Sequence, residues 1–164
     1  MTDQEQDQDQ AVAARQRWMR VLARTPAPEL ERVFEEAVGR ILDQGGSAPG
    51  YEFLRRPETG LVMVRGRMDA TGRRFNLGEM TMTRCAVQVN GLAGFGYVAG
   101  RRPRHAELAA LFDGLLQDEK QRDGLLKAVV GPLETRARTR QERDVAKTAA
   151  TKVEFFTMVR GDDE

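Results

Sequence analysis

The sequence predicts an α+β fold: an antiparallel sheet of about four strands, arranged as a meander, packed with N-terminal and C-terminal helices. Three observations carry this expectation. Apolar residues recur at helical spacing as far as Gln44, alternate with polar ones between Tyr51 and Ala99, and return to helical spacing at Pro103. At 164 residues the chain is the size of one domain and long enough to bury a real core.

Residues 1–10, MTDQEQDQDQ, form a low-complexity Asp/Gln tract with little apolar area to bury. They are expected to be a disordered acidic tail. A single α+β domain over 11–164, with a partner-binding C-terminal segment, should follow. From Ala11, residues Val12, Trp18, Val21 and Leu22 share a helical face, and the helix should stop before Thr25-Pro26. A second helix is expected from Pro28 to Gln44, with Pro28 in its first turn and Gly45-Gly46 as its stop. Its apolar face comprises Leu30, Val33, Phe34, Val38, Ile41 and Leu42.

The period then changes. Tyr51–Leu54 reads as a short strand, Pro57-Glu58-Thr59-Gly60 as a turn, and Leu61–Met68 as a second strand closed by Ala70-Thr71-Gly72. Phe75–Val89 reads as a longer strand, with Thr81, Thr83, Cys85, Val87 and Val89 on one face. Asn90-Gly91 is the strongest hairpin signal in the chain and leads into Gly94–Ala99. Leu108, Leu111, Phe112, Leu115 and Leu116 then form an apolar stripe on a helix from Pro103. A shorter helix over 125–130 should end at Gly131-Pro132. Leu133–Ala150 has good helix formers but a sparse apolar face, so it is expected to be exposed or covered by a partner. The stretch Lys152–Val159 is apolar and β-prone, and acidic residues follow it.

Composition excludes several classes of function. A formal net charge of +1 gives no global attraction to nucleic acid or membrane. Charge is nonetheless uneven, with ten arginines between Tyr51 and Arg104 against four acids. No apolar run reaches the roughly 20 residues that span a bilayer. One cysteine excludes an internal disulfide, and the acidic opening is unlike a signal peptide, so a reduced, cytoplasmic setting is expected.

Motifs for chemistry are sparse. His105 and Cys85 are the chain's only histidine and cysteine, too few for an ordinary structural zinc site, so no metal residue is assigned. Cys85 lies mid-strand and reads as a small buried hydrophobe rather than a nucleophile. Gly94, Gly96 and Gly100 fall inside a strand, not between a strand and a helix as a dinucleotide fingerprint requires. They read instead as a smooth strand surface on which another backbone packs closely. There is no Walker motif, GxSxG elbow or paired-carboxylate motif, so no catalytic or cofactor-binding residue is assigned. Arg101, Arg102, Arg104 and His105 precede a helix and are the candidate anion-binding cluster; a solvated or subunit-contacting basic loop is the simpler reading. Phe155, Phe156, Met158 and Val159 would be an aggregation hazard if exposed, so they should either dock on their own sheet or enter a partner, and they are the candidate partner contact.

Several segments together resemble one family. Arg15–Ala23, Glu58–Val62, Thr81–Val87, Gly96–Arg101, His105–Glu107 and above all Phe155–Asp162 are similar to the G subunit of the bacterial carbon–phosphorus lyase core complex, the PhnG family. The resemblance covers Arg15 to Asp162 in order. The acidic N-terminal extension and the residues around Gln44–Gly50 depart from it. It implies a non-catalytic or accessory subunit in organophosphonate catabolism. Such a subunit supports formation of ribose 1-methylphosphonate 5-triphosphate from ATP and methylphosphonate. The implied partners are the H, I and J subunits in a hetero-octamer, and an ABC-like L protein, with no membrane or nucleic acid. No cofactor is implied on this chain alone. The complex would use ATP, with iron–sulfur and S-adenosylmethionine in a partner subunit. The alternative from the residues themselves is a free-standing anion- or nucleic-acid-binding module using the arginine-rich sheet. An independent transferase built on Arg101, Arg102 and His105 lacks a general base with a partner.

Overall fold

The computed structural model describes residues 3–43, 49–68 and 72–150, with side chains over 5–38, 49–68 and 72–148. The tail residues Phe155, Phe156, Met158 and Val159 and the Gly45-Gly46 stop lie outside the described residues.

The elements run α1 (Asp3–Arg24), α2 (Ala27–Asp43), β1 (Tyr51–Arg67), β2 (Arg74–Val89), β3 (Leu92–Ala99), α3 (Pro103–Gln117), α4 (Glu119–Leu125), a π-helical turn (Leu126–Val130) and α5 (Gly131–Ala150). The sheet is antiparallel in the order β1-β2-β3, the expected meander. It has three strands rather than about four, because Pro57–Gly60 continues β1 instead of turning. Register shifts at Phe53/Arg55 and Arg55/Glu58 absorb the irregularity. Pro57 is tolerated because β1 is an edge strand, where a missing N–H faces no neighbour.

Two helix boundaries also differ from expectation. The tract expected to be disordered is helical from Asp3, continuous with the rest of α1. Its acids sit in the first turns, where the helix dipole favours negative charge, and Gln and Glu are good helix formers. At the other end, Gly131-Pro132 does not stop the helix. Gly131 keeps a right-handed helical conformation and donates its N–H to Leu126 O across the π turn. That wider turn makes room where a proline ring would otherwise meet the preceding carbonyl, so α5 continues beyond it.

Alternation dictates what the sheet buries. Thr83, Cys85, Val87 and Val89 point inward as a set, with Val98 of β3 beside them. Against this face lies α3, in contact with all three strands, while α1 and α2 pack on its other side. Being covered on both sides, α3 is buried from Leu108 to Leu116, more than the expected stripe. Phe112, Leu108, Leu111 and Leu116 have no exposed area, and each gains roughly 1.5–3 kcal/mol from burial. Phe34 of α2 meets Phe112 edge-on at 5.8 Å.

The helix–sheet contact is backbone on backbone. A Cβ at Gly94 would lie 2.0 Å from Ala110 O, and one at Gly96 2.0 Å from Ala106 O. The expected smooth strand surface is therefore where α3 sits, through Ala106, Ala110 and Gly114. The β2–β3 hairpin turns on Asn90 (φ 51°) and Gly91 (φ 78°), the pair of positive φ angles that a two-residue primed turn needs.

Candidate functional site

The polar side chains buried in this fold are its most constrained chemistry. Asp113, on the buried helix α3, has no exposed area. Its Oδ1 accepts from Trp18 Nε1 at 2.9 Å and Arg15 Nε at 3.2 Å. Its Oδ2 accepts from Arg15 Nη2 at 2.7 Å and from the backbone N–H of Phe95 at 2.9 Å. One carboxylate thus ties α1, α3 and β3 together, and each of its oxygens has at least two donors. The Arg15 guanidinium also lies over the Phe95 ring, 5.6 Å from its centroid. Nearby, Gln117 Nε2 donates to the carbonyls of Ala93 at 2.8 Å and Asp113 at 3.0 Å.

A second buried group holds the loop that carries the basic cluster. Thr83 Oγ1 donates to Gly100 O at 2.6 Å and accepts the Arg102 N–H at 2.9 Å. The Thr59 hydroxyl, 3.0 Å away, completes its set. Gly100 turns the chain with φ 84°.

The four residues of the basic cluster do not converge. Arg101 and Arg102 are exposed at the start of α3. Arg104 turns to Glu31 of α2 (2.7 Å) and Glu107 (2.8 Å), and these acids hold its guanidinium charged. Glu107 also accepts from the Tyr51 hydroxyl. His105 faces the core: Nε2 donates to Leu22 O at 2.9 Å, and Nδ1 has no hydrogen-bond partner among the described residues. Burial pushes the imidazole pKa down, the Leu22 bond opposes this, and Arg102 adds to it.

Cys85 is 2% exposed, and its thiol points at Arg55 O, 3.4 Å away. Burial, aided by Glu107, pushes its pKa up to about 11, so it is a thiol and not a thiolate at neutral pH. Cys85 and His105 are each committed to packing. Among the described residues, no group of His, Cys, Asp and Glu could hold a metal ion, and no helix is long and apolar enough to cross a membrane.

The exposed surface carries a different signal. β3 pairs with β2 only over Met82–Val89, so Leu61–Arg67 and Arg74–Thr81 form a two-stranded arm beyond it. Leu61, Met63, Phe75, Leu77 and Met80 are all exposed there, Leu61 by 64%, and Met68 just past the strand by 87%. Tyr97 and Phe95 alternate with Gly96 and so point away from α3, exposed by 49% and 37%. Beside Tyr97, Arg84 pairs with Glu58 at 2.6 Å, and Arg55 joins them.

These features define an α+β protein whose buried polar groups hold helices to a sheet and whose apolar surplus lies on a projecting arm. The chain belongs to the PhnG family: the model described as "Phosphonate metabolism protein PhnG" matches residues 13–161. It is 41% identical over 156 residues to the alpha-D-ribose 1-methylphosphonate 5-triphosphate synthase subunit PhnG of Rhizobium meliloti, covering 94% of each chain.

Proposed function

We propose that this chain is an accessory, non-catalytic subunit of a ribose 1-methylphosphonate 5-triphosphate synthase in organophosphonate catabolism. The observation that carries this is the likeness to the R. meliloti synthase subunit across 94% of both chains. The disposition of the reactive groups supports it: His105 and Cys85 are turned into the core, where they hold structure. The partners in this reading are the H, I and J subunits in a hetero-octamer, and the ABC-like L protein. ATP is the substrate of the assembly, and iron–sulfur and S-adenosylmethionine belong to a partner. Phe155, Phe156, Met158 and Val159 serve as a partner contact, and the setting is the cytoplasm.

The test has two arms. Native mass spectrometry of the tagged full chain from phosphate-starved cells should show a hetero-oligomer containing those subunits. The isolated chain should leave ATP intact with or without methylphosphonate, whereas the assembly consumes both. Turnover by the rigorously purified chain, abolished by His105→Ala, would overturn the non-catalytic role.

A further inference from the structure

From the arm we infer that Leu61–Arg67 and Arg74–Thr81 enter an apolar cleft on another protein whose rim carries carboxylates. This rests on the subunit reading and adds to it which surface docks and with what chemistry.

Pairing sets the geometry. A strand pair without a third strand or a packed helix is marginal in water, because one hairpin buries too little of itself. Here the backbone bonds continue to Arg67–Arg74, yet both faces carry exposed apolar side chains. Leu61 and Met63 are exposed on the α3 side of the sheet, and on the other side Met80 is exposed beside its half-buried register partner Val62, so each face carries its own apolar set. A flat partner surface could cover only one of these sets; a cleft covers both. The arm does have one internal contact that shapes it: Leu77 folds over Gly66, where a Cβ would lie 2.7 Å from Leu77 Cδ1. The register shift at Val64/Arg65 lies next to it and gives the tip a local twist.

Charge chooses between occupants. Arg65, Arg67, Arg73 and Arg74 gather toward the tip, against Glu79 and Asp69 in the sequence of the same stretch. A second copy of this arm would set arginine against arginine, which penalises exchange between identical chains. A protein cleft with Asp and Glu at its mouth meets the same arginines favourably, and its apolar floor takes Leu61, Met63, Phe75 and Met80. Nucleic acid would use the arginines but would leave Leu61, Met63 and Met80 uncovered, since none of them offers a stacking ring.

The experiment uses the full chain within its assembly. A photo-crosslinking benzoylphenylalanine replaces Met63 in one version and Val145 of α5, 61% exposed, in a control. Crosslinks from position 63 should map to a different protein, at a segment flanked by acidic residues, and the position 145 control should not reach that segment. Arg65→Glu/Arg67→Glu and Met63→Glu should each weaken assembly about tenfold or more, as loss of a central anchor does. The melting temperature of the isolated chain should stay unchanged, because these side chains are outside its core. Reversing the charges of the crosslinked acids in the partner should restore binding to the Arg65→Glu/Arg67→Glu chain. Crosslinks to a second copy of this chain or to nucleic acid, or normal assembly by all the arm variants, overturn the inference and leave the subunit reading standing. A wild-type chain that forms no hetero-oligomer overturns both.

Discussion

Arg15 in α1 and Asp113 in α3 face each other across 98 positions of chain, joined by Nε to Oδ1 at 3.2 Å and Nη2 to Oδ2 at 2.7 Å. The carboxylate is wholly buried, while the arginine side chain is 34% exposed. The two truncations therefore leave different groups unpaired. Asp113→Ala strands the Trp18 and Phe95 N–H donors in the core and should cost about 3–5 kcal/mol. Arg15→Ala instead leaves a buried carboxylate without its countercharge and should also cost about 3–5 kcal/mol. Urea denaturation of both, and of the double variant, checks this; the two losses should not add.

The β3–α3 contact gives a steric prediction. Gly94→Ala or Gly96→Ala drives a methyl into a backbone carbonyl of α3, and strand and helix must separate. Each should cost about 1–3 kcal/mol or more. Gly60→Ala meets nothing within 4 Å and should stay within about 0.5 kcal/mol of wild type. Thermal melts of the three variants provide the comparison.

Much of this contact was legible in the sequence, because alternating glycines in an otherwise apolar strand mark where something must come close. The Thr81–Val89 alternation and the Asn90-Gly91 turn were legible for similar reasons: both are local rules. Asp113 was not. A lone acid inside a helical stripe looks solvated, and its donors lie on α1 and β3, which no local pattern links to it. One clue was present, since Ala109–Leu116 holds no other charged residue. His105 reads as part of a basic loop, yet its spacing to Leu108 and Phe112 places it on the buried stripe. The arm was hidden for another reason. Two strands with apolar residues look alike whether a third layer covers them or not.

His105 predicts an acid-side loss of stability. Its folded pKa is lowered, so between that value and the unfolded value of about 6.5 the unfolded chain binds the proton that the native chain refuses. Stability is thus complete above pH 6.5 and falls as pH drops below it, by up to about 1.4 kcal/mol per pH unit. His105→Gln, which can still donate to Leu22 O, should flatten the change between pH 7.5 and 5.5. Denaturant titrations at the two pH values measure it. Carboxylates held low by their arginines, such as Glu29 and Glu31, lose their contribution only at lower pH.

Cys85 predicts slow alkylation. With the thiol buried and its pKa raised to about 11, iodoacetamide at pH 8 should modify the native chain only as fast as it opens. Denatured chain should react at the rate of a free cysteine. Rapid labelling of folded protein, followed by mass spectrometry, would contradict the inward placement.

β2, β3 and α3 follow one another without interruption, and their mutual contacts span only Arg74 to Gln117. Contacts between neighbours in the chain close short loops, which favours early assembly of this unit during folding. α1 leaves the ribosome first but finds its anchor only when Asp113 has been made. Synthesis therefore separates the birth of Arg15 and Trp18 from their docking, and a growing chain exposes the α1 face until the middle of the molecule exists to receive it.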